Sequence, residues 1–429
     1  MRMRWLPLLV LAGSFFGASL FAQKMSNIDR DRALQILDLS VKDVKKHYYD
    51  PRLRGFDIDA RAKEARTRIE NVQSLGQAFA LIGWTLDGLN DSHTYFLPPA
   101  RTLRTDYGWR MQLIGEKCLV TGVKPKTDAE SKGLKPGDEV ISVDGFVPTR
   151  GVYEKLEYLL YLLRPMPVLH LQIRSPEGSQ RSLDVLSKQR AESVAYKYTD
   201  IWQMVREAES QEERNRPAYY EMGDDVLIFK PKSFLLADNQ MNQVLAALHR
   251  KKALLFDLRG NGGGAVEVLA RLLGDFFDHE VKIGDRVGRE QRKAMVTKAP
   301  KEPFTGKVVV MIDSQSASAA ELFARVIQLE KRGTVIGDRS GGFVMEARIY
   351  DNEPGGVWFA TVITDADILM TDGKSLEGHG VEPDELVVPT AQDLAAGRDP
   401  VLSRGAALVG LKIPPEKAGT MFPYKWPKD

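Results

Sequence analysis

The stretch "KVVVMIDSQSASAAELFARVIQ", Lys307 to Gln328, joins an unbroken apolar run, three serines within five residues and an amphipathic run. A short continuous run of apolar residues is typical of a strand buried on both faces, as in a parallel sheet. After the serines, apolar residues recur at helical spacing: Leu322, Phe323, Val326 and Ile327. The stretch therefore predicts a strand, a serine-rich turn and a helix.

The same arrangement occurs earlier in the chain, which indicates a layered α/β core. "ALLFDLR" (Ala253–Arg259) is a second apolar run, and it enters the glycine turn "GNGGG" (Gly260–Gly264) before another amphipathic run. "GTVIGD" (Gly333–Asp338) predicts a third short strand. Repeated strand–turn–helix units predict an α/β architecture with ligand sites at the strand ends. We assign this core to residues 191–395, and residues 396–429 to a C-terminal tail that packs on it.

Residues 25–100 have helical periodicity and predict a small helical domain. Ser74 is an expected N-cap before the second clear helix. That helix ends in "LDGLNDSHTYFLPP" (Leu86–Pro99), where glycine, asparagine and two prolines oppose further helix. His93 is therefore expected in a loop just after a helix.

Residues 105–190 predict a β-rich unit. Two β-like runs, "KCLVTGV" (Lys117–Val123) and "VLHLQI" (Val168–Ile173), bracket "KGLKPGDEVISVDG" (Lys132–Gly145). The Pro-Gly-Asp and Asp-Gly pairs within that stretch are turn and hairpin signals. A helix-like run, Tyr153–Leu163, follows.

The N-terminus predicts export. Two arginines, an apolar stretch and small residues up to Ala22 are typical of a secretory signal peptide rather than an uncleaved anchor. We assign residues 1–22 to it and expect a secreted or periplasmic protein with no membrane span in the mature chain. Loss of Arg2 and Arg4 would lower the formal net charge from +2 to 0, which argues against a nucleic-acid or anionic-membrane partner.

Metal and cofactor chemistry find no support in the sequence. A single cysteine, Cys118, permits neither an internal disulfide nor a cysteine-based metal cluster. The chain has no HExxH and no phosphate-binding glycine loop followed by Lys-Ser/Thr. We expect no metal and no cofactor.

The serines after the strand at Lys307 have two interpretations. A serine is a good N-cap because its side chain satisfies an N–H group of the first helical turn. Alternatively it is a nucleophile whose developing charge faces the positive end of the helix, with backbone N–H groups as an oxyanion hole. The cluster holds more serines than one cap needs, and the glycine turn Gly260–Gly264 offers further N–H groups. These two features favour the nucleophile.

Four motifs together resemble the tail-specific, C-terminal-processing serine proteases and the related tricorn protease core, and the β-rich unit resembles a PDZ domain. The motifs are "DLRGNGGG", "SQSASAAE", "VIGDRSGG" and "GKSLEGHGVEPD", with "GLKPGDEVISVDG" as the PDZ-like signature. The resemblance implies a multidomain α/β fold whose core is a β-spiral similar to ClpP and crotonase. It also implies peptide or unfolded-protein substrates, recruited by their C-termini at the PDZ-like domain. In that domain Arg110 stands where a second glycine is common, within the expected carboxylate loop "YGWRMQL" (Tyr107–Leu113).

By the same resemblance Ser318 is the nucleophile. The oxyanion hole is the N–H of Ala319 with that of Gly263, or else Gly262. Tail-specific proteases use a lysine 25 residues after the nucleophile, a position occupied here by Phe343, and no lysine lies between Gly333 and Asp372.

The tricorn-like branch supplies a different base. Its histidine motif resembles "DSHTY", which makes His93 the base, and its glutamate precedes a "GVxPD" element, which makes Glu377 the orienting acid. A neutral imidazole is suited to accept a hydroxyl proton and return it to an amine, and a carboxylate fixes its tautomer. His379 is the alternative base. Ser92 either assists the proton transfer or makes an ordinary loop hydrogen bond.

The sequence therefore predicts a secreted or periplasmic serine endopeptidase of the C-terminal-processing type. Two alternatives remain: a catalytically inactive PDZ-containing peptide-binding protein, and a carrier of a small hydrophobic ligand, since retinoid-binding proteins of the vertebrate retina resemble this core. The oligomeric state is left open.

Overall fold

The structure, a computed structural model, describes residues 25–101, 103–191 and 218–426. The expected signal peptide, residues 1–22, lies outside the described residues. Among those that are described, no helix has the length and apolar character to cross a membrane.

The helices are distributed along the whole described chain. They are α1 (Asn27–His47), α2 (Ile58–Ile69), α3 (Leu75–Asp87), α4 (Asp128–Ser131), α5 (Tyr153–Glu157), α6 (Asp238–Leu248), α7 (Val266–Gly274), α8 (Ala319–Leu329), α9 (Ala391–Ala395), α10 (Pro400–Leu408) and α11 (Pro415–Gly419). A π-helical segment, Tyr158–Leu163, continues α5, and 3₁₀ turns lie at Leu53–Gly55 and Pro354–Gly356.

The strands fall into two groups along the chain. Those before residue 192 are β1 (Tyr95–Leu97), β2 (Leu103–Asp106), β3 (Trp109–Ile114), β4 (Lys117–Val123), β5 (Glu139–Val143), β6 (Val168–Arg174), β7 (Gln180–Leu186) and β8 (Lys188–Ala191). Those after residue 217 are β9 (Ala218–Met222), β10 (Val226–Lys230), β11 (Ala253–Asp257), β12 (Lys282–Gly288), β13 (Met295–Val296), β14 (Lys307–Ile312), β15 (Thr334–Gly337), β16 (Met345–Asn352), β17 (Phe359–Met370) and β18 (Glu385–Leu386).

The core contains a six-stranded sheet in the order β18-β15-β14-β11-β10-β9, parallel except for β9. Every residue of β11 is buried because both faces of the sheet are covered. One face packs on α7 and α8, and the other on α10 and α11. The strands predicted at β11, β14 and β15 are confirmed, as is the mixed α/β class.

A second, antiparallel sheet joins the core to the N-terminal helices. Its order is β1-β17-β12-β13, with β16 also paired to β17. The first half of β17 packs against the helical region through Phe359 and Ile363, whereas its second half enters the main core through Ile368 and Met370. Residues 25–100, predicted to form a helical domain, therefore also contribute β1 to a core sheet.

Residues 103–191, called the middle unit below, form a five-stranded antiparallel sheet in the order β3-β4-β5-β6-β7. The side chains of α5 and the π-helical segment close its hydrophobic core. β2 and β8 form a separate two-stranded ribbon. β3 lies at the edge of the five-stranded sheet, where the Met111 carbonyl accepts a hydrogen bond from the Tyr153 hydroxyl (2.8 Å) and the Leu113 carbonyl accepts one from the Ser314 hydroxyl.

Phe96 on β1 should be important for stability. Its side chain is fully buried, and its ring lies 5.6 Å from that of Phe79 and 6.0 Å from that of Phe359, measured between centroids. Phe96→Ala should lower the free energy of unfolding by about 3–5 kcal/mol because it leaves a cavity between helices and sheet. Urea unfolding measures this. Tyr219→Ala, at a side chain that is 44% exposed, is the control, with a change of about 0.5 kcal/mol or less; equal effects would contradict the assignment.

Candidate active site

Ser318 lies between β14 and α8 in an unusual backbone conformation. Its φ is +56° and its ψ −120°, a region that a residue with a side chain rarely adopts. The preceding loop is held by two hydrogen bonds, from Ser316 Oγ to the Leu258 carbonyl (2.8 Å) and from Ala317 N–H to the Asn261 carbonyl (2.9 Å). Such strain persists where the surrounding structure enforces it, and it is concentrated at functional sites.

The side chain of Ser318 does not cap the helix. Within the described parts of the chain its hydroxyl makes no hydrogen bond, whereas its N–H donates to Phe343 O (2.9 Å) and Glu321 Oε2 (3.1 Å). The first turn of α8 is thus tied by Glu321 rather than by the serine hydroxyl. Of the two interpretations of this serine, the geometry favours the nucleophile.

Glu321 is the residue of this site that sequence reasoning missed. Its carboxylate is fully buried and also accepts hydrogen bonds from Ser340 Oγ (2.5 Å), Gly342 N (2.8 Å) and Phe343 N (2.9 Å). Burial raises the pKa of Glu321 to about 7, against the lowering effect of these donors. The signal available in the sequence was the Ser-x-x-Glu spacing of Ser318 and Glu321, which is that of a capping box.

The glycine turn lies against Ser318. A Cβ atom on Gly263 would stand 2.6 Å from the Cβ of Ser318, and its φ is +94°, so both contact and conformation require glycine. The N–H of Gly263 already donates to Asn261 Oδ1 (2.9 Å). The N–H groups of Gly262 and Ala319 have no hydrogen-bond acceptor within the described residues. Of the two glycines considered, Gly262 has the N–H that is available to a ligand.

A short loop between α3 and β1 carries His93. Asp91 Oδ1 accepts hydrogen bonds from His93 N (3.0 Å), Thr94 N (2.7 Å) and Thr364 Oγ1 (2.8 Å), which fasten the loop to β17. Immediately afterwards β1 pairs with β17, Tyr95 opposite Val362. The loop position expected for His93 is confirmed, and the loop is anchored to a core sheet.

A hydrogen-bonded chain links Glu377 to the His93 ring through Ser92. Ser92 Oγ donates to Glu377 Oε2 (2.9 Å) and lies 2.7 Å from His93 Nδ1, while Ser92 N donates to Glu377 Oε1 (2.7 Å). Because an ionised carboxylate only accepts, the single hydroxyl proton of Ser92 points to Glu377. The Nδ1 atom must then carry the single N–H proton of the neutral imidazole and donate it to Ser92 Oγ. This assignment leaves Nε2 as the basic nitrogen of the ring.

The charge states of these groups depend mainly on burial. Desolvation lowers the pKa of His93, with the nearby charge of Asp91 acting in the opposite direction. Burial raises the pKa of Glu377 to about 7, although donors at Val344 and Ser92 favour its ionised form. The imidazole is therefore neutral at pH 7, while Glu377 changes charge near that pH.

One loop connects Ser318 to the Glu377–Ser92–His93 chain. Phe343 O accepts from Ser318 N–H, and the next residue, Val344, donates its N–H to Glu377 Oε2 (2.9 Å). No hydrogen bond joins Ser318 Oγ to the His93 ring in the described regions. Catalytic hydrogen bonds are commonly long before substrate binds. The structure brings Ser318, Glu377 and His93 to one neighbourhood through residues 343 and 344.

His379, the alternative base, has a different setting. Its side chain is exposed, and its Nδ1 lies 2.8 Å from the backbone carbonyl of Glu377. The described contacts do not include one between its ring and Ser318. Its position gives no support to a role as base.

A cleft of about 720 Å³ lies beside the serine loop, between the middle unit and the C-terminal segment. β3 contributes Trp109, Arg110 and Met111 to its lining, the π-helical segment contributes Tyr161, and Gln315 adjoins it from the serine loop. The guanidinium of Arg110 stacks 3.7 Å from the ring centroid of Tyr424. Basic side chains outnumber acidic ones in the lining: Arg101, Arg104, Arg110, Lys124 and Arg190 against Asp106 and Glu157.

Two relatives show what the chain is similar to. It is 26% identical to the putative tricorn protease homolog 2 of Streptomyces coelicolor over 392 residues, 87% of this chain and 32% of that protein. It is also 26% identical to the tail-specific protease of Haemophilus influenzae over 317 residues, 68% of this chain and 43% of that protein. The chain thus spans about a third to two-fifths of the length of these relatives.

Solved structures share the fold. Mature CPAF superposes with a TM-score of 0.63 at 15% identity, covering 86% of this chain and 95% of that one. The photosystem II D1 C-terminal processing protease gives a TM-score of 0.52 at 17% identity, covering 91% and 99%.

The sequence profile of peptidase family S41 matches residues 225–387. This range contains the glycine turn, Ser318 and Glu377, and it excludes His93, which reaches the site from outside the matched region. The resemblance to tail-specific and tricorn-type proteases is confirmed, and within the core it is residues 225–387 that match peptidase family S41.

Proposed function

We propose that this protein is a serine peptidase of the C-terminal-processing type, exported by its N-terminal segment, in which Ser318 is the nucleophile and His93 the base. The observation that carries the proposal is the chain Glu377–Ser92–His93, which fixes the basic nitrogen of an imidazole. Residues 343 and 344 link this chain to Ser318, a strained serine with an unengaged hydroxyl. A lysine base is not required, because His93 takes the role that Phe343 cannot fill.

In the proposed reaction Ser318 Oγ attacks the peptide carbonyl carbon while its proton passes to His93 Nε2. The resulting imidazolium keeps its Nδ1–H on Ser92, and the negative charge of Glu377 stabilises it through the Ser92 hydroxyl. The carbonyl oxygen becomes an oxyanion that accepts from the N–H of Ala319 and from that of Gly262. The C–N bond then breaks, and the leaving amine takes the proton from His93. Water, deprotonated by His93, attacks the acyl carbon, and the bond from that carbon to Ser318 Oγ breaks as Ser318 takes the proton back from His93.

We further propose that the middle unit is a PDZ-like domain that recruits substrate C-termini in the cleft beside β3. β3 is an edge strand, the position to which PDZ domains add an extended peptide, and its first residues, Trp109 and Arg110, line the cleft. The basic lining supports a carboxylate ligand. The same charged lining disfavours the alternative of a hydrophobic-ligand carrier.

The first prediction tests nucleophile and base together. Ser318→Ala and His93→Ala should each lower kcat by about 10⁴-fold or more, and the double variant should be little worse, because members of one catalytic unit are not additive. Ser92→Ala should cost roughly 10- to 100-fold, the effect of losing a hydrogen bond to a charged group. His379→Ala is the matched control and should keep activity within about twofold. Full activity in His93→Ala would reject this base, and a wild type that cleaves no peptide pool would favour the inactive peptide-binding protein.

The second prediction concerns pH. Burial raises the pKa of Glu377 to about 7 and lowers the pKa of His93 from 6.5. As the pH drops, Glu377 therefore takes up a proton before His93 does, and kcat/KM should fall through about pH 7. In Glu377→Gln the residual activity should be lower, and its acidic limb should move below pH 6.5 to the titration of His93. Initial-rate assays from pH 5 to 9 measure the pH dependence of kcat/KM for the wild type and for Glu377→Gln. An identical midpoint in the two proteins would show that Glu377 does not set the limb.

The third prediction tests recruitment in the cleft. A fluorescent peptide with a free C-terminal carboxylate should bind the Ser318→Ala protein about tenfold or more tightly than the same peptide with an amidated C-terminus. Arg110→Gln should remove most of this difference, whereas Arg32→Gln on α1 should leave it unchanged. Equal binding of the two peptides to the protein with Arg110 intact would count against carboxylate recognition.

A further inference from the structure

The loop before Ser318 is attached to the edge strand of the middle unit. Gln112 on β3 donates its Nε2–H to Asp313 Oδ2 at 2.7 Å. The next residue on β3, Leu113, accepts a hydrogen bond at its carbonyl from the Ser314 hydroxyl. Two adjacent residues of the middle unit therefore contact two adjacent residues of the serine loop.

The second oxygen of the Asp313 carboxylate joins this loop to the glycine turn. Oδ1 accepts from Gly260 N (2.9 Å) and Gln315 N (3.0 Å), with Ser316 Oγ at 3.3 Å. Hydrogen bonds to an ionised acceptor are shorter and stronger than neutral ones. A single carboxylate thus contacts the first residue of the glycine turn, the serine loop and β3.

The relative position of these two loops determines the geometry of the oxyanion hole. They follow the neighbouring parallel strands β11 and β14, where Asp257 pairs with Met311. One proposed donor, the N–H of Ala319, belongs to the serine side, and the other lies in the glycine turn. A displacement of one loop against the other changes the distance between the donors, and a misplacement of about 1 Å costs as much as 10²-fold in rate.

We infer that Asp313 and Gln112 are positioning residues: Asp313 holds the glycine turn against the serine loop, and Gln112 fixes the Asp313 carboxylate from the middle unit. Neither residue touches the reacting atoms. The catalytic part of this inference rests on the proposed function, whereas the structural part does not. The rate of cleavage of a peptide that is too short to enter the cleft should therefore still depend on Gln112.

The test uses Gln112→Met in the full-length protein, which keeps the length of the side chain and removes the donor. The matched control is Gln172→Met on β6, whose exposed side chain makes no hydrogen bond in the described structure. Gln112→Lys supplies a new donor to Asp313 and serves as the rescue variant.

Hydrogen exchange measured by mass spectrometry tests whether Gln112 holds the two loops in place, and it does not require the protein to be active. Gln112→Met should speed amide exchange severalfold in residues 258–264 and 313–318, and Gln112→Lys should restore protection. Unchanged exchange relative to Gln172→Met would overturn the inference even if wild type is an active peptidase.

The kcat and KM for cleavage of a short peptide test whether this positioning affects catalysis. Gln112→Met should lower kcat roughly 10- to 100-fold, with KM within about twofold and a melting temperature equal to that of the control. Faster exchange with an unchanged kcat would overturn the catalytic role. A wild type without peptidase activity would refute the proposed function, and the exchange experiment would still decide the positioning by Gln112.

Discussion

The pairing of β1 with β17 is the constraint on which the rest of the site depends. Ser318 and Glu377 lie on loops of the core, but His93 precedes Ser318 by 225 residues and belongs to the helical region. Three residues of β1, paired with Ala360–Val362, bring the histidine loop to that core. Thr364 extends the attachment because its hydroxyl donates to Asp91 and its N–H donates to Thr94 Oγ1 (3.1 Å). Without this pairing the core would hold the proposed nucleophile, Ser318, without the proposed base, His93.

Three buried carboxylates of the core have different pKa shifts because their hydrogen-bond and ion-pair partners differ. Burial opposes ionisation of Asp257, but the adjacent cations Arg259 and Lys230 outweigh it and hold its pKa well below the usual range. Glu321 and Glu377 receive only neutral N–H and O–H donors, so burial dominates and both pKa values rise to about 7. The first carboxylate, bridged by Arg259 to Asp399 at the start of α10, fastens the C-terminal helices to the sheet. The other two organise the loops around Ser318 and His93.

Local patterns in the sequence were sufficient to predict the elements on either side of Ser318, the proposed nucleophile. The apolar runs at β11 and β14, the turns after them and the helical spacing in α8 all reflect interactions between residues close in the chain. The candidates His93 and Glu377 depended on motif resemblance, because no periodicity relates loops so distant in sequence. The contacts of Glu321 and of Asp313, and the role of β1 in a core sheet, arise from tertiary packing. Apart from the Ser-x-x-Glu spacing of Ser318 and Glu321, a single sequence contains no local signal for them. The choice between Gly262 and Gly263 needed the hydrogen bond from Gly263 N–H to Asn261, which only the structure provides.

The most direct test of the account is a crystal structure of the wild-type protein after reaction with a peptidyl diphenyl phosphonate, a reagent that bonds covalently to an activated serine. The account predicts phosphorus on Ser318 Oγ, with its oxyanion-like oxygen within hydrogen-bond distance of Ala319 N–H and of a glycine-turn N–H. His93 Nε2 should lie within about 3.2 Å of an adduct oxygen, with Ser92 still bridging Nδ1 and Glu377. An adduct on another residue, or a His93 ring directed away from the phosphonate, would contradict it.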